Sequence, residues 1–82
     1  MTGHDVRSNH LKKLGEAVRR RRESLALSQE QLAELVDCHR NYVGKIERGT
    51  QNLTISTLLR FASALKVKTA SLMFGLGEES SD

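Results

Sequence analysis

Apolar residues recur every three or four positions in five short stretches of the chain, which is the spacing of amphipathic helices. Leu11, Leu14 and Val18 carry the pattern in the first stretch, and Leu58 and Leu65 carry it in the fourth. No stretch alternates as a β-strand would, and the chain contains no proline to interrupt a helix. The pattern predicts helices over residues 10–24, 29–36, 40–48, 55–66 and 70–74.

Small polar residues and a glycine mark the ends of these predicted helices. Ser28 is a favoured N-cap, and Gln31 three residues later completes a capping box. Thr54 and Thr69 are predicted N-caps of the fourth and fifth helices. Gly49 suits the left-handed conformation that commonly ends a helix, so we expect the third helix to stop there.

The pattern predicts one all-α domain, in which five short helices over residues 10–74 surround a single leucine-rich core. Residues 1–9 and the acidic residues 75–82 show no periodicity, and we expect both segments to be flexible. The predicted core residues of the second, third and fourth helices are Leu32, Ala33, Leu35, Val36, Val43, Ile46, Ile55, Leu58, Leu59, Ala62 and Leu65.

Charge is unevenly distributed along the chain, whose formal net charge is +3. Residues 7–68 contain all thirteen lysines and arginines but only six acidic residues, whereas Glu78, Glu79 and Asp82 make the end of the chain acidic. A basic body of this kind favours a polyanionic partner, although charge alone does not require one.

The composition argues against several classes of protein. Cys38 is the single cysteine, which excludes an internal disulfide and a cysteine-rich zinc site. No apolar run approaches the ~20 residues that span a bilayer, and residues 1–10 lack a signal-peptide core, so we expect a cytoplasmic protein without a membrane partner. We expect neither an enzyme nor a metal or cofactor site, because no nucleophile–base set or ligand cluster stands out. Cys38 is expected to be a small, partly buried residue.

The third predicted helix has an outer face that suits insertion into the major groove of DNA. Val43 and Ile46 face inward, whereas Arg40, Asn41 and Lys45 fall on the other side. Base edges in the groove offer hydrogen-bond donors and acceptors to such side chains, and arginine suits guanine while asparagine suits adenine. A turn of about three residues joins this helix to the second one, as in a helix-turn-helix.

Residues 28–49, SQEQLAELVDCHRNYVGKIERG, resemble the helix-turn-helix of the lambda-repressor-like, XRE-type DNA-binding domains. The resemblance extends back through LGEAVRRRR (14–22) and forward through NLTISTLLRFASALKV (52–67), so it covers almost the whole predicted domain. Within that family, RNYVGKIERGTQNLT is also similar to the small controller proteins of restriction–modification systems.

The resemblance implies roles for individual residues. Arg22 and Glu47 match the family's ion pair between the first and third helices, which holds the recognition helix without touching DNA. The residues implied to read bases are Arg40, Asn41, Lys45 and Tyr42. The residues implied to contact the DNA backbone are Gln29, His39, Arg48, Thr50, Gln51 and Asn52.

Four positions depart from the family pattern. Asp37 and Ala26 stand where glycine is common, and either residue is strained if its φ is positive. His39 replaces the usual serine or threonine N-cap of the third helix, and it is expected to be a poorer cap. Gln51 stands where the controller-like proteins often carry arginine.

These features predict a homodimeric regulator that binds double-stranded DNA sequence-specifically at a near-palindromic operator. Its recognition helices would lie about one helical turn, ~34 Å, apart. We expect autoregulation through protein concentration, because 82 residues leave no room for a domain that senses a small-molecule effector. A protein-interaction module with the same fold, such as an antitoxin or co-regulator, is the alternative. The predicted dimer interface is formed by Leu72, Met73, Phe74 and Leu76.

Overall fold

The computed structural model describes the backbone of residues 3–73 and the side chains of residues 9–73. Throughout that part of the chain the regular structure is helical, which confirms the predicted all-α class with five helices. Phe74, Leu76 and the predicted flexible tail of residues 75–82 lie outside the described residues. The helices are α1 (Gly3–Ser24), α2 (Gln29–Val36), α3 (Arg40–Arg48), α4 (Ile55–Leu65) and α5 (Thr69–Met73).

Helix α1 begins earlier than its apolar pattern predicts. The predicted start near His10 is wrong, because the backbone is already helical at Gly3. Once a helix has nucleated, each further residue adds a backbone hydrogen bond at little cost, so a helix can extend beyond the turns that pack. Apolar periodicity reports only the turns that pack, and it therefore missed this extension.

Side-chain caps fix the starts of α2 and α4. The Ser28 hydroxyl accepts a bond of 3.0 Å from the Gln31 amide, and the Gln31 side chain accepts one of 2.8 Å from the Ser28 amide. This confirms the predicted capping box. Thr54 caps α4 as predicted, because its hydroxyl accepts from the Thr57 backbone at 3.1 Å. Thr69 differs from its prediction, since it is the first residue of α5 and not its cap.

Within residues 3–73, four residues adopt the left-handed conformation where helices end or chain direction changes. Gly49, with φ 76°, ends α3 as predicted. Asp37 and Lys66 close α2 and α4 with φ of 61° and 59°, and Ala26 has φ 59° in the turn after α1. Asp37 is a tolerable choice, because a short polar side chain visits this region more readily than most residues.

The core lies between α1, α2, α3 and α4 and is closed by α5. Phe61, Leu32 and Ile46 are among the fully buried side chains. Three predicted core positions are wrong: Leu35, Ile55 and Leu59 are 59%, 67% and 51% exposed. Each follows the helical spacing, but it lies at the edge of the apolar stripe, where no neighbouring helix covers it.

A close approach between backbones brings α1 against the end of α3 at Gly15. A Cβ built on Gly15 would collide with the backbone carbonyl oxygen of Ile46 and would lie 2.7 Å from that of Glu47. The glycine therefore sets the distance between α1 and α3.

Among the described residues, no helix is both long enough and apolar enough to cross a membrane.

Candidate nucleic-acid interface

Helix α3 presents a polar, cationic face to solvent and an apolar face to the core. Val43 and Ile46 are buried on its inner side. The outer side forms one wall of an open cleft of about 740 Å³, and the start of α2 forms the other wall. Charged and polar side chains line this cleft, unlike the mostly apolar pockets that hold small molecules. Its lining residues are Arg22, Ser28, Gln29, Glu30, Arg40, Asn41, Gly44, Lys45 and Arg48.

The structure brings together only part of the predicted DNA-contacting set. The cleft collects Gln29, Arg48 and the three predicted base readers Arg40, Asn41 and Lys45. Tyr42 is half-buried and packs against the core, so only part of its ring faces outward.

The loop after α3 does not line the cleft. The Thr50 hydroxyl donates to the Lys45 carbonyl at 3.2 Å and so helps to terminate the helix. The Gln51 amide contacts the neighbouring Asn52 carbonyl oxygen at 3.4 Å. These three residues lie beyond the cleft, at the end of α3 that is opposite to Arg40.

His39 caps the recognition helix through its imidazole ring. Its Nδ1 accepts a hydrogen bond of 3.0 Å from the Asn41 backbone amide, as a serine hydroxyl would. The ring therefore satisfies one of the free amides at the start of α3 and fixes the first turn, which carries Arg40 and Asn41. His39 does serve as a cap, and its Nδ1 is already engaged before any DNA contact.

Cys38 lies in the turn between α2 and α3, where its hydrogen bonds and packing support the fold. Its backbone amide donates to the Ala33 carbonyl at 2.9 Å, and its thiol lies 3.5 Å from the His39 carbonyl oxygen. Burial raises the pKa of the Cys38 thiol, whereas a reactive cysteine needs a lowered pKa. The half-buried side chain packs against the core, in agreement with the predicted packing role.

An ion pair between α1 and α3 fixes the recognition helix from behind. Arg22 Nε lies 2.7 Å from Glu47 Oε2, and Arg22 Nη2 lies 3.1 Å from Glu47 Oε1. The two side chains are only 11% and 4% exposed. Arg22 Nη1 also donates to the Leu27 carbonyl at 2.8 Å, and the hydrogen bond to Glu47 raises the pKa of the guanidinium. This is the pairing that the family resemblance implied.

Sequence reasoning missed a second contact of the same carboxylate. Gln29 Nε2 donates a hydrogen bond of 3.0 Å to Glu47 Oε1. Glu47 therefore links α1, α2 and α3 at one point. No spacing rule relates residues 29 and 47, because the contact depends on how α2 and α3 cross.

The fold and this cleft define a helix-turn-helix domain, in which α2 and α3 are the two helices of the motif. The helix-turn-helix family model matches residues 18–72, which is more than half of the chain. The chain therefore belongs to the helix-turn-helix family of DNA-binding regulators, and the predicted family is confirmed.

Its relatives include restriction–modification control proteins. Control protein C.SmaI from Serratia marcescens is 47% identical over 60 residues, which cover 73% of this chain and 71% of that protein. Control protein C.BamHI from Bacillus amyloliquefaciens is 40% identical over 60 residues, covering 72% and 74%. The crystal structure of the restriction–modification controller protein C.AhdI from Aeromonas hydrophila has a TM-score of 0.73 and 40% identity, covering 76% of this chain and 94% of that one.

Proposed function

We propose that this protein is a cytoplasmic transcriptional regulator that binds a near-palindromic operator in double-stranded DNA as a homodimer. The observation that carries the proposal is the exposed face of α3, where Arg40, Asn41 and Lys45 project beside the open cleft. Arginine, lysine and asparagine are the side chains best suited to base edges in the major groove. The control proteins among its relatives favour autoregulation, in which the protein binds DNA near its own gene.

The proposed contacts divide into base reading and backbone positioning. Arg40, Asn41 and Lys45 read bases, with the outward edge of Tyr42 beside them. The proposed backbone contacts, which position the helix without reading sequence, are Gln29, Arg48, Thr50, Gln51 and Asn52. We also propose that His39 contacts the DNA backbone, through the part of its ring away from Nδ1, because Nδ1 caps the helix.

Selection of bound fragments from random double-stranded DNA tests the proposal directly. We expect an enriched sequence with two inverted half-sites whose centres lie about 10 base pairs apart. A reporter that carries the DNA upstream of the gene then tests autoregulation. Weak binding with no enriched sequence would instead favour the protein-interaction module.

Arg40→Ala is expected to weaken binding to the selected operator by about 1–3 kcal/mol and to relax the preference at one base pair. The reason is the loss of a side chain from the first turn of α3, on the face proposed to read bases. Arg60→Ala is the matched control, because it deletes the same charge from an exposed position on α4 outside the cleft. Gel shifts on specific and random DNA measure both variants. Equal losses on the two DNAs would assign Arg40 to the phosphate backbone.

The proposed dimer interface differs from the one predicted from the sequence. Leu72 is fully buried inside the protomer, so it belongs to the core and is withdrawn from the interface. Met73 is 39% exposed and therefore remains part of the proposed dimer interface. The exposed Ile55 and Leu59 lie one turn apart on one face of α4, and we add them as the central apolar contacts.

Leu59→Glu is expected to raise the dimer dissociation constant roughly a hundredfold, because two symmetry-related carboxylates would then face each other. Leu35→Glu is the control, since Leu35 is a similarly exposed leucine on α2. Sedimentation equilibrium over a range of concentrations measures both variants. An unchanged dimer in Leu59→Glu would remove this face of α4 from the interface, and a wild-type monomer at all concentrations would contradict the dimer itself.

A further inference from the structure

One carboxylate oxygen of Glu47 has two partners. Oε1 accepts from Arg22 Nη2 at 3.1 Å and from Gln29 Nε2 at 3.0 Å, while Oε2 is occupied by Arg22 Nε at 2.7 Å. The Glu47 side chain is 4% exposed. It therefore does not face DNA, although both of its partners, Arg22 and Gln29, line the cleft.

The bond to Glu47 fixes which way the Gln29 amide faces. A carboxylate only accepts hydrogen bonds, so the amino end of the Gln29 amide must point towards it and the carbonyl end must point away. An amino group carries two hydrogens, and Glu47 engages one of them. The second hydrogen remains for a ligand of the cleft.

The amide also lies directly against α3. A Cβ built on Gly44 would be 3.7 Å from Gln29 Oε1 and 3.9 Å from Nε2. Gly44 stands one helical turn after Arg40 and one turn before Arg48, and it lines the cleft although it is itself buried. The orientation of the Gln29 amide is thus set at the centre of the proposed DNA-contacting surface.

We propose that Glu47 is a positioning residue for DNA binding: it holds the Gln29 amide so that the free amide hydrogen meets a phosphate oxygen of the operator. The inference rests on the proposed function. A glutamine side chain held in its bound orientation loses less rotational freedom on binding than a free one does. Glu47 would thereby act on DNA through Gln29, in addition to pairing with Arg22.

A double-mutant cycle on the selected operator separates this role from a purely structural one. Gln29→Met keeps the length of the side chain and removes its amide. Glu47→Gln offers one acceptor atom in place of two, so it cannot satisfy Arg22 and orient Gln29 in the same way. We expect Gln29→Met to weaken operator binding at least fivefold in the protein that keeps Glu47. In the Glu47→Gln background, the same substitution should weaken binding less than twofold. The same fold-loss in both backgrounds would overturn the proposal, because the Gln29 amide would then contribute to binding independently of Glu47.

Proton NMR of the wild-type protein provides a second test that does not depend on a variant folding. One Gln29 side-chain amide proton should exchange slowly with solvent and keep its shift when operator is added, whereas the other should shift. The exposed Gln31 side chain serves as the internal reference, because only its oxygen is engaged in the capping box and it is not a proposed DNA contact. Two Gln29 protons that both exchange as fast as those of Gln31 would overturn the proposal. If the wild-type protein showed no preference for an operator sequence, the proposed function would be refuted. If the wild-type protein bound its operator but the double-mutant cycle was additive, this inference alone would be refuted.

Discussion

Glu47→Ala is expected to lower the free energy of unfolding by about 3 kcal/mol, the lower end of the cost of breaking a buried ion pair, because Arg22 keeps only a 3.9 Å contact with the exposed Glu23 carboxylate. The Arg22 side chain is only 11% exposed, so water cannot replace the lost carboxylate easily. Gln29 would lose its hydrogen-bond acceptor in the same substitution. Single domains are stable by roughly 5–15 kcal/mol, and the variant would therefore lose a large share of its stability.

Urea unfolding followed by circular dichroism measures this loss. Arg19→Ala is the matched control, because Arg19 pairs with Glu23 at 3.2 Å on the surface, where the Arg19 and Glu23 side chains are 64% and 53% exposed, and its removal leaves the 3.9 Å contact of Glu23 with Arg22 in place. Exposed pairs of this kind contribute ~0–1 kcal/mol. If the two variants unfold at the same urea concentration, the Arg22–Glu47 pair does not stabilise the fold.

The double variant Arg22→Met with Glu47→Leu distinguishes an unpaired charge from a lost attraction. Replacing a buried ion pair by apolar residues of similar size is often neutral or stabilising. We therefore expect the double variant to be more stable than Glu47→Ala, although a methionine side chain could no longer donate to the Leu27 carbonyl as Arg22 does. A double variant as unstable as Glu47→Ala would show that the attraction itself was the larger contribution.

Local signals were sufficient to predict the helix-turn-helix core. Ser28 with Gln31 defined the start of α2, and Gly49 defined the end of α3, because each device acts within a few residues. The pairing of Arg22 with Glu47 came from the family resemblance, since 25 residues separate the partners. Together, these local signals and the family resemblance predict where the outer face of α3 lies, and this face is the main part of the candidate interface.

Other features depend on how helices pack, and no local signal contains them. Leu59 has the spacing of a core residue, but whether a neighbouring helix covers it is decided by how the helices pack, and it is 51% exposed. The bond between Gln29 and Glu47 depends in the same way on the crossing of α2 and α3. His39 makes a capping hydrogen bond because a neutral imidazole nitrogen can accept from a backbone amide, and that it caps less strongly than serine or threonine stays a prediction.

Gly15→Ala is expected to destabilise the protein by about 3 kcal/mol, at the upper end of the cost of overpacking. In an exposed helix the same change would stabilise by ~1 kcal/mol, because alanine is the better helix former. At Gly15, however, the new methyl group would meet the backbone carbonyl oxygens of Ile46 and Glu47. Backbone atoms cannot rotate away as a side chain can, so α1 and α3 must separate.

Gly44→Ala is the matched control for this prediction. A Cβ at Gly44 would lie 3.3 Å from the end of the Arg48 side chain, and that flexible group can move by a few tenths of an ångström. We expect its unfolding free energy to be unchanged or higher, because the gain in helix propensity is retained. Thermal melts of both variants give the comparison. A Gly15→Ala protein as stable as Gly44→Ala would mean that α1 does not set the position of the recognition helix through this contact.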